Sequence, residues 1–92
     1  MTANRRGLCP LVLIEWEDSV QPSSDWRFLA QIGEQEAVIC RSVGWLIKDT
    51  NRVKVLAPNF GGLQDATQLQ VSGQIVIPAS AVRKTVRLKE PG

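Results

Sequence analysis

The chain contains no histidine and no tyrosine, and it has only two cysteines among its 92 residues. Without histidine it can hold neither a Ser-His-Asp nor a Cys-His catalytic arrangement. Most zinc sites are excluded as well, because they need histidine ligands or paired cysteines. Cys9 and Cys40 are far apart in the sequence and form no Cys-x-x-Cys pair. We therefore predict no catalytic residues, no metal and no cofactor, and a protein that is not an enzyme.

Long hydrophobic runs are also missing. No segment approaches the roughly 18 apolar residues that a membrane span needs. The apolar run at residues 8–14 follows Arg5 and Arg6, as in a signal peptide. Pro10 interrupts this run and no small-residue cleavage site follows it, so we do not expect a signal peptide. Two isolated thiols are more typical of a reducing cytosol than of a disulfide scaffold. These features predict a cytoplasmic protein with no membrane partner, in which Cys40 is a small buried residue of a strand.

Net charge is low, at +2, which by itself does not imply a nucleic-acid or membrane partner. The charge is unevenly placed, since residues 15–36 are acidic and the end of the chain is basic. With 43% hydrophobic and 22% charged residues the composition is that of a globular protein, not of a disordered one. A length of 92 residues accommodates one domain with one core.

Alternation of apolar and polar residues predicts five strands. They are residues 11–17, 36–48, 52–57, 69–77 and 82–88. In the first strand, Val12, Ile14 and Trp16 share the face that should point inward. In the second, Ile39, Val43, Trp45 and Ile47 share a parity, and Gly44 should mark a bulge or bend. In the fourth, Ile75 and Ile77 should face inward; in the last, Val82, Val86 and Leu88 share one side.

Three connections separate these strands. Residues 18–33 form the longest irregular segment, in which Pro22 marks a turn and Ser24 or Asp25 could cap a short helix through Ile32. The composition of residues 58–68 predicts a loop, and the short segment 78–81 predicts a single tight turn of 3₁₀ type.

This order of elements predicts an all-β domain, specifically a small five-stranded SH3-like barrel with a long first loop. The predicted organisation is a flexible N-terminal arm over residues 1–10, a barrel over 11–89 and a tail over 90–92. An OB-type barrel also has five strands, but it usually carries a helix between its third and fourth strands, where this chain has a glycine pair.

Four short motifs resemble those of a group of small proteins encoded by bacteriophages and prophages. They are the first-strand phrase LVLIEWEDS at residues 11–19, SVGWLI at 42–47, KVLAP at 54–58 and IVIP at 75–78. The resemblance spans most of residues 11–88. It implies a viral or mobile-element source and an SH3-like barrel, and it supplies no activity and no site residues.

Aromatic residues are the first candidates for a binding surface. Trp16 and Trp45 fall on inward parities, so we expect them in the core. Trp26 lies in the irregular segment, where covering one end of the barrel is favoured over serving as an exposed anchor for a partner. Phe60, next to Asn59 in a loop, either binds a partner or folds back onto the core.

Charged residues give a second set of candidates. Arg83, Lys84, Arg87 and Lys89 lie on or just after the last strand, where they could contact phosphates. No aromatic residue is interleaved with them, so protection of an edge strand is the favoured role. Glu15 and Glu17 share a strand face and could in principle act as an acid–base pair, but a solvated outer face is the simpler expectation.

Together these features predict a non-enzymatic protein-interaction or assembly module of the phage or prophage type. A protein partner or self-association, for example as a homodimer, is favoured over nucleic acid. The alternative is a nucleic-acid-binding barrel that uses the basic last strand.

Overall fold

The computed structural model describes residues 9–20 and 22–91. The loose arm predicted for residues 1–10 therefore lies outside the described residues except at its end. There the Pro10 carbonyl accepts a 2.8 Å hydrogen bond from the Leu46 amide, which ties the chain to the sheet just before the first strand. No helix in the described part is long and apolar enough to cross a membrane.

The domain is all-β, as the sequence predicts. Its strands are β1 (Leu11–Asp18), β2 (Val38–Asp49), β3 (Val53–Ala57), β4 (Asn59–Gly61), β5 (Gln70–Ser72), β6 (Ile75–Pro78) and β7 (Val82–Arg87). Five of them form an antiparallel sheet in the order β6-β3-β2-β1-β7, and β4 and β5 form a separate two-stranded sheet. In the described residues these sheets do not close into a barrel, because β6 and β7 form the two ends of the larger one.

The core is small and lies on one face of the larger sheet. Its buried residues are Val12, Ile14, Leu56 and Ile77. Ala57 is also fully buried, but it lies opposite Trp45 on the other face. The predicted inward face of β1 is confirmed, with Trp16 partly buried against this cluster. The alternation in β6 is also confirmed, since Ile77 is fully buried while the side chain of Val76 is 58% exposed.

The prediction for the inward face of β2 is wrong. Val12 of β1 is paired with Gly44, and Ile14 with Ser42. Directly opposed residues in an antiparallel pair lie on the same face, so the even-numbered residues of β2 from Cys40 to Leu46 face the core. Ile39 and Val43 are therefore about half exposed. The core face of β2 carries small residues, which leave room for Trp16, and the Trp16 indole N–H donates to the Ser42 hydroxyl at 3.0 Å.

Gly44 lies where β2 passes very close to β3. A Cβ at this position would be 2.8 Å from the Ala57 carbonyl oxygen, which is closer than real Cβ atoms come. The predicted bulge is three residues further on, because Leu46 pairs with Leu56 and Lys48 with Val55, leaving Ile47 as the extra residue.

A second bulge changes the faces of β7. Trp16 pairs with Val82 and Glu15 with Lys84, so Arg83 is an extra residue between them. The bulge moves the following side chains to the opposite face. Val86 therefore lies on the outer face, 37% exposed, and not on the side of Val82 as the alternation predicts.

Residues 58–77 also differ from the prediction. The expected strand over residues 69–77 is interrupted at Gly73, whose φ of 74° lies in the region that glycine adopts most easily. Its first part, β5, pairs with β4, so part of the expected loop at 58–68 is a strand.

Candidate protein-interaction surface

Residues 19–37, which we call the projecting loop, join β1 to β2 and stand away from both sheets. Every described residue from 17 to 39 is exposed. The described chain measures 61 × 24 × 23 Å, with a radius of gyration of 17.8 Å. A compact domain of this length has a radius of gyration of about 12 Å. The loop therefore extends the molecule and does not cover its core.

The helix predicted from Ser24 or Asp25 to Ile32 is reduced to a single 3₁₀ turn at Leu29–Gln31. The Phe28 amide donates to the Gln31 side-chain oxygen at 3.1 Å, and the Ile32 amide closes the turn on the Leu29 carbonyl. A helix as short as the predicted one forms only when one of its faces packs against the rest of the protein, and no face of this segment is packed.

The apolar side chains of the projecting loop are largely in contact with solvent. Trp26 is 100% exposed, Leu29 88% and Phe28 80%, and Val20 and Ile32 are about half exposed. The structure thus places Trp26 away from the core, and not over one end of a barrel. Sequence analysis missed Phe28 and Leu29; the signal that could have found them is the density of apolar residues at 26–29 in a segment without strand or helix periodicity.

Phe60 and Asn59 lie elsewhere, on β4. The Phe60 ring is half-buried and packs edge-on to Trp45, with ring centroids 6.0 Å apart and an interplanar angle of 81°. The Trp45 indole N–H donates to the Glu90 carboxylate at 3.2 Å, so this pair anchors the small sheet and the chain end on the outer side of β2. Asn59 is exposed and lines a shallow groove along β4 and β5. The fully exposed Trp26 contacts neither residue.

The basic residues form what we call the basic edge, made of Arg83, Lys84 and Arg87 on β7 and Lys89 just after it. All four are exposed. Among the described residues β7 pairs with β1 alone, so its other side offers unpaired backbone groups.

Glu15 and Glu17 lie beside this edge. Glu15 accepts a 3.1 Å hydrogen bond from Arg41, and Arg83 is 4.0 Å from the carboxylates of both glutamates. Glu17 is exposed, whereas the Glu15 side chain is only 19% exposed. The two carboxylates are thus partners of arginine side chains, and the solvated face expected from the sequence holds for Glu17 and only in part for Glu15.

The cysteines are not bonded to one another; both are half-buried, Cys40 less deeply than predicted. Burial raises the pKa of the Cys9 thiol, which keeps it protonated and a poor nucleophile at neutral pH. The described residues contain no group of three or more His, Cys, Asp or Glu side chains able to hold a metal ion.

The structure thus brings the predicted candidates to three separate places: the projecting loop, the small sheet and the basic edge. No family of proteins, no curated protein and no solved structure matches this chain.

Proposed function

We propose that this chain is a non-enzymatic protein-interaction or assembly module of the phage or prophage type, and that the projecting loop is its binding element. The observation that carries the proposal is the exposure of Trp26, Phe28 and Leu29 in a loop whose described residues are all exposed. Tryptophan side chains are among the residues that contribute most to protein interfaces.

A small SH3-like barrel is the proposed scaffold. The strand order β7-β1-β2-β3-β6 and the single 3₁₀ turn at Ala79–Ala81 before the last strand support it. In this arrangement the scaffold holds the first and second strands rigid, and the loop between them is free to meet a partner.

The size of the exposed apolar surface indicates how much binding it can support. Trp26 and Phe28 together present roughly 400 Å² of aromatic surface. Its burial would contribute at most about 10 kcal/mol, at about 25 cal/mol per Å². Association costs about 4–15 kcal/mol in lost freedom of motion. The two aromatic side chains therefore roughly offset that cost, and a stable complex needs further contacts.

Affinity capture with the tagged full chain tests the proposal. The variant W26A/F28A/L29A removes the apolar surface of the loop. Each protein enriched by the wild-type chain is purified and titrated against both forms. We expect a partner, which includes the chain itself, whose affinity falls at least about 100-fold in the triple variant.

Two control variants separate binding from folding. Ser24→Ala changes an exposed polar residue of the same loop, and Val76→Ala removes exposed apolar surface from the body of the domain. Both should bind as the wild type does. Unchanged affinity in the triple variant, or the absence of any protein partner up to about 100 μM, would rule out the proposed role of the loop.

Nucleic-acid binding is the second candidate function, and the exposure of all four side chains of the basic edge favours it. The nearby carboxylates of Glu15 and Glu17 weaken it, because they would repel phosphates. Fluorescence anisotropy with single-stranded and duplex oligonucleotides over a salt series decides between the two. Phosphate contacts are strongest at low salt, so the absence of binding there would exclude this function.

A further inference from the structure

We propose that the partner of the projecting loop is a second copy of this chain, and that the loop of one copy binds along β7 and the adjoining outer face of the other. This inference rests on the proposed function and names its partner.

The first support is charge complementarity. The projecting loop carries three acidic residues, Asp25, Glu34 and Glu36, and one basic residue, Arg27. The basic edge carries four positive charges, and Glu15 and Glu17 beside it offset two of them, so the surface around β7 stays basic. Opposite charges steer association and fix which surfaces meet. The acidic loop and the basic edge therefore match each other, whereas two basic edges would repel.

The second support is the side of β7 that pairs with no other described strand. Backbone N–H and C=O groups on the free side of an edge strand accept an added extended segment. Residues 33–37 lie outside any helix, and the Ile32 backbone before them is extended, with φ −81° and ψ 105°. In an extended segment Glu34 and Glu36 would point to the same side. On the outer face that side carries Arg83 and Lys84, which lie beside Glu15. Arg87, in contrast, lies opposite Val12 on the other face.

The third support is the apolar surface beside β7. Val86 lies opposite Leu13 on β1, and Leu13 lies opposite Val43 on β2, so the three form one row on the outer face. Val43 is 51% exposed and Val86 37%. Leu13 and Val86 line a shallow hollow together with Glu15, Arg41 and Lys84. This surface can receive apolar side chains of the loop, and it supplies the further contacts that the aromatic residues need.

The loop does not reach this surface in its own chain. It begins after the end of β1, next to the start of β7, whereas Arg87 pairs with Val12 near the opposite end of β1. To cover its own Val86 the loop would have to fold back along the sheet, yet all its described residues are exposed. The contact is therefore made between copies.

Sedimentation velocity of the full chain tests the proposal, over loading concentrations from about 5 to 200 μM at low and high salt. The wild type should associate, with a dissociation constant that rises at least about 10-fold between 50 and 500 mM salt because the exposed charges become screened. A wild type that stays monomeric at low salt would overturn the proposal.

Charge reversal identifies the two surfaces. The variant E34K/E36K makes the loop basic. K84E/R87E leaves the edge with two positive and two negative side chains, so that together with Glu15 and Glu17 beside it this edge becomes acidic. Each variant alone should associate at least about 10-fold more weakly than the wild type. Their equimolar mixture should associate again, because the basic loop of one then meets the acidic edge of the other. A mixture that stays monomeric, or single variants that associate normally, would contradict the proposal.

A matched control changes the same number of charges at another place. Lys48→Glu with Arg52→Glu alters two exposed residues around the turn between β2 and β3, and this variant should associate as the wild type does. Circular dichroism checks that every variant is folded. If K48E/R52E weakens association as much as K84E/R87E, net charge and not the basic edge is responsible, and the proposal fails.

The outcomes also separate this proposal from the functions above. A monomeric wild type that binds a different protein through Trp26 overturns self-association and retains the interaction module. A monomeric wild type that binds oligonucleotides, with binding lost in K84E/R87E, assigns the basic edge to nucleic acid. Loss of both self-association and any other protein partner removes the proposed function itself.

Discussion

At the scale of single residues, Gly44 shows how one methyl group can decide whether β2 and β3 fit together. In Gly44→Ala the new Cβ would contact the backbone of Ala57, which cannot move aside as a side chain can. We expect a loss of roughly 1–3 kcal/mol in the free energy of unfolding, measured by urea titration.

Gly33 provides the matched control for that substitution. A Cβ at Gly33 has no neighbour within 4 Å, and its φ is not positive. Gly33→Ala should therefore leave the stability unchanged or raise it by up to about 1 kcal/mol, through the smaller entropy of the unfolded chain. Equal effects of the two substitutions would show that β2 and β3 are not in close contact at Gly44.

Asp65 gives a prediction about pH. Hydrogen bonds from the Thr67 amide and then from the Thr67 hydroxyl lower the pKa of this carboxyl. A lowered pKa in the folded state means that the stabilisation exists above the unfolded pKa and is lost as the pH falls through the folded one. Asp65→Ala should therefore be less stable than the wild type at pH 7. This difference in the free energy of unfolding should shrink as the pH falls below the ordinary pKa of aspartate.

The comparison for Asp65 is Asp25→Ala, an exposed carboxyl on the projecting loop. Urea titrations over a pH series measure how far the free energy of unfolding of each variant lies below that of the wild type. A difference for Asp65→Ala that is the same at every pH would mean that its ionised carboxylate does not cap the turn at Ala66–Gln68.

At the scale of elements, the projecting loop should be separable from the fold. Replacing residues 22–34 by a short Gly-Ser turn should leave the sheet intact, because none of the replaced side chains is buried. A shorter loop costs less entropy to close, so the free energy of unfolding should rise by about 1 kcal/mol or less. Urea titration measures the stability, and the binding assays described above should show no partner.

A large loss of stability in this variant would mean that the loop belongs to the core. The triple variant W26A/F28A/L29A serves as the control, since it keeps the loop length and removes only exposed apolar surface. Its stability should stay within about 0.5 kcal/mol of the wild type.

Sequence patterns located most elements but assigned several faces incorrectly. The predicted β1 face holds because Trp16 continues the parity of Val12 and Ile14, whereas Glu15 and Glu17 occupy the other parity. The predicted β6 face holds because Ile75 and Ile77 continue the alternation that precedes them and Val76 is the single exception. β2 has apolar residues on both parities, at Val43 and Leu46 for example, so its core face depends on pairing with β1. Bulges at Ile47 and Arg83 shift the alternation within a strand, and a bulge arises from pairing with a neighbouring strand and not from local sequence.

At the scale of the whole molecule, small-angle X-ray scattering should detect the extended shape. The K84E/R87E variant is the sample of choice, because we expect it to remain monomeric. Its radius of gyration should be near the 17.8 Å of the described chain and its maximum dimension near 61 Å. A value close to the roughly 12 Å of a compact domain would show that the loop folds onto the sheet in solution.

The sequence by itself determined the fold class, the positions of most strands and the lack of histidine-based chemistry, because these follow from composition and local alternation. It also indicated the acidic loop and the basic last strand as separate segments. Only the tertiary structure decided that Trp26 is exposed, that Phe60 packs on Trp45 and that β7 is the last described strand at one side of the larger sheet. Burial and strand neighbours depend on contacts between residues distant in the chain, which local pattern does not specify.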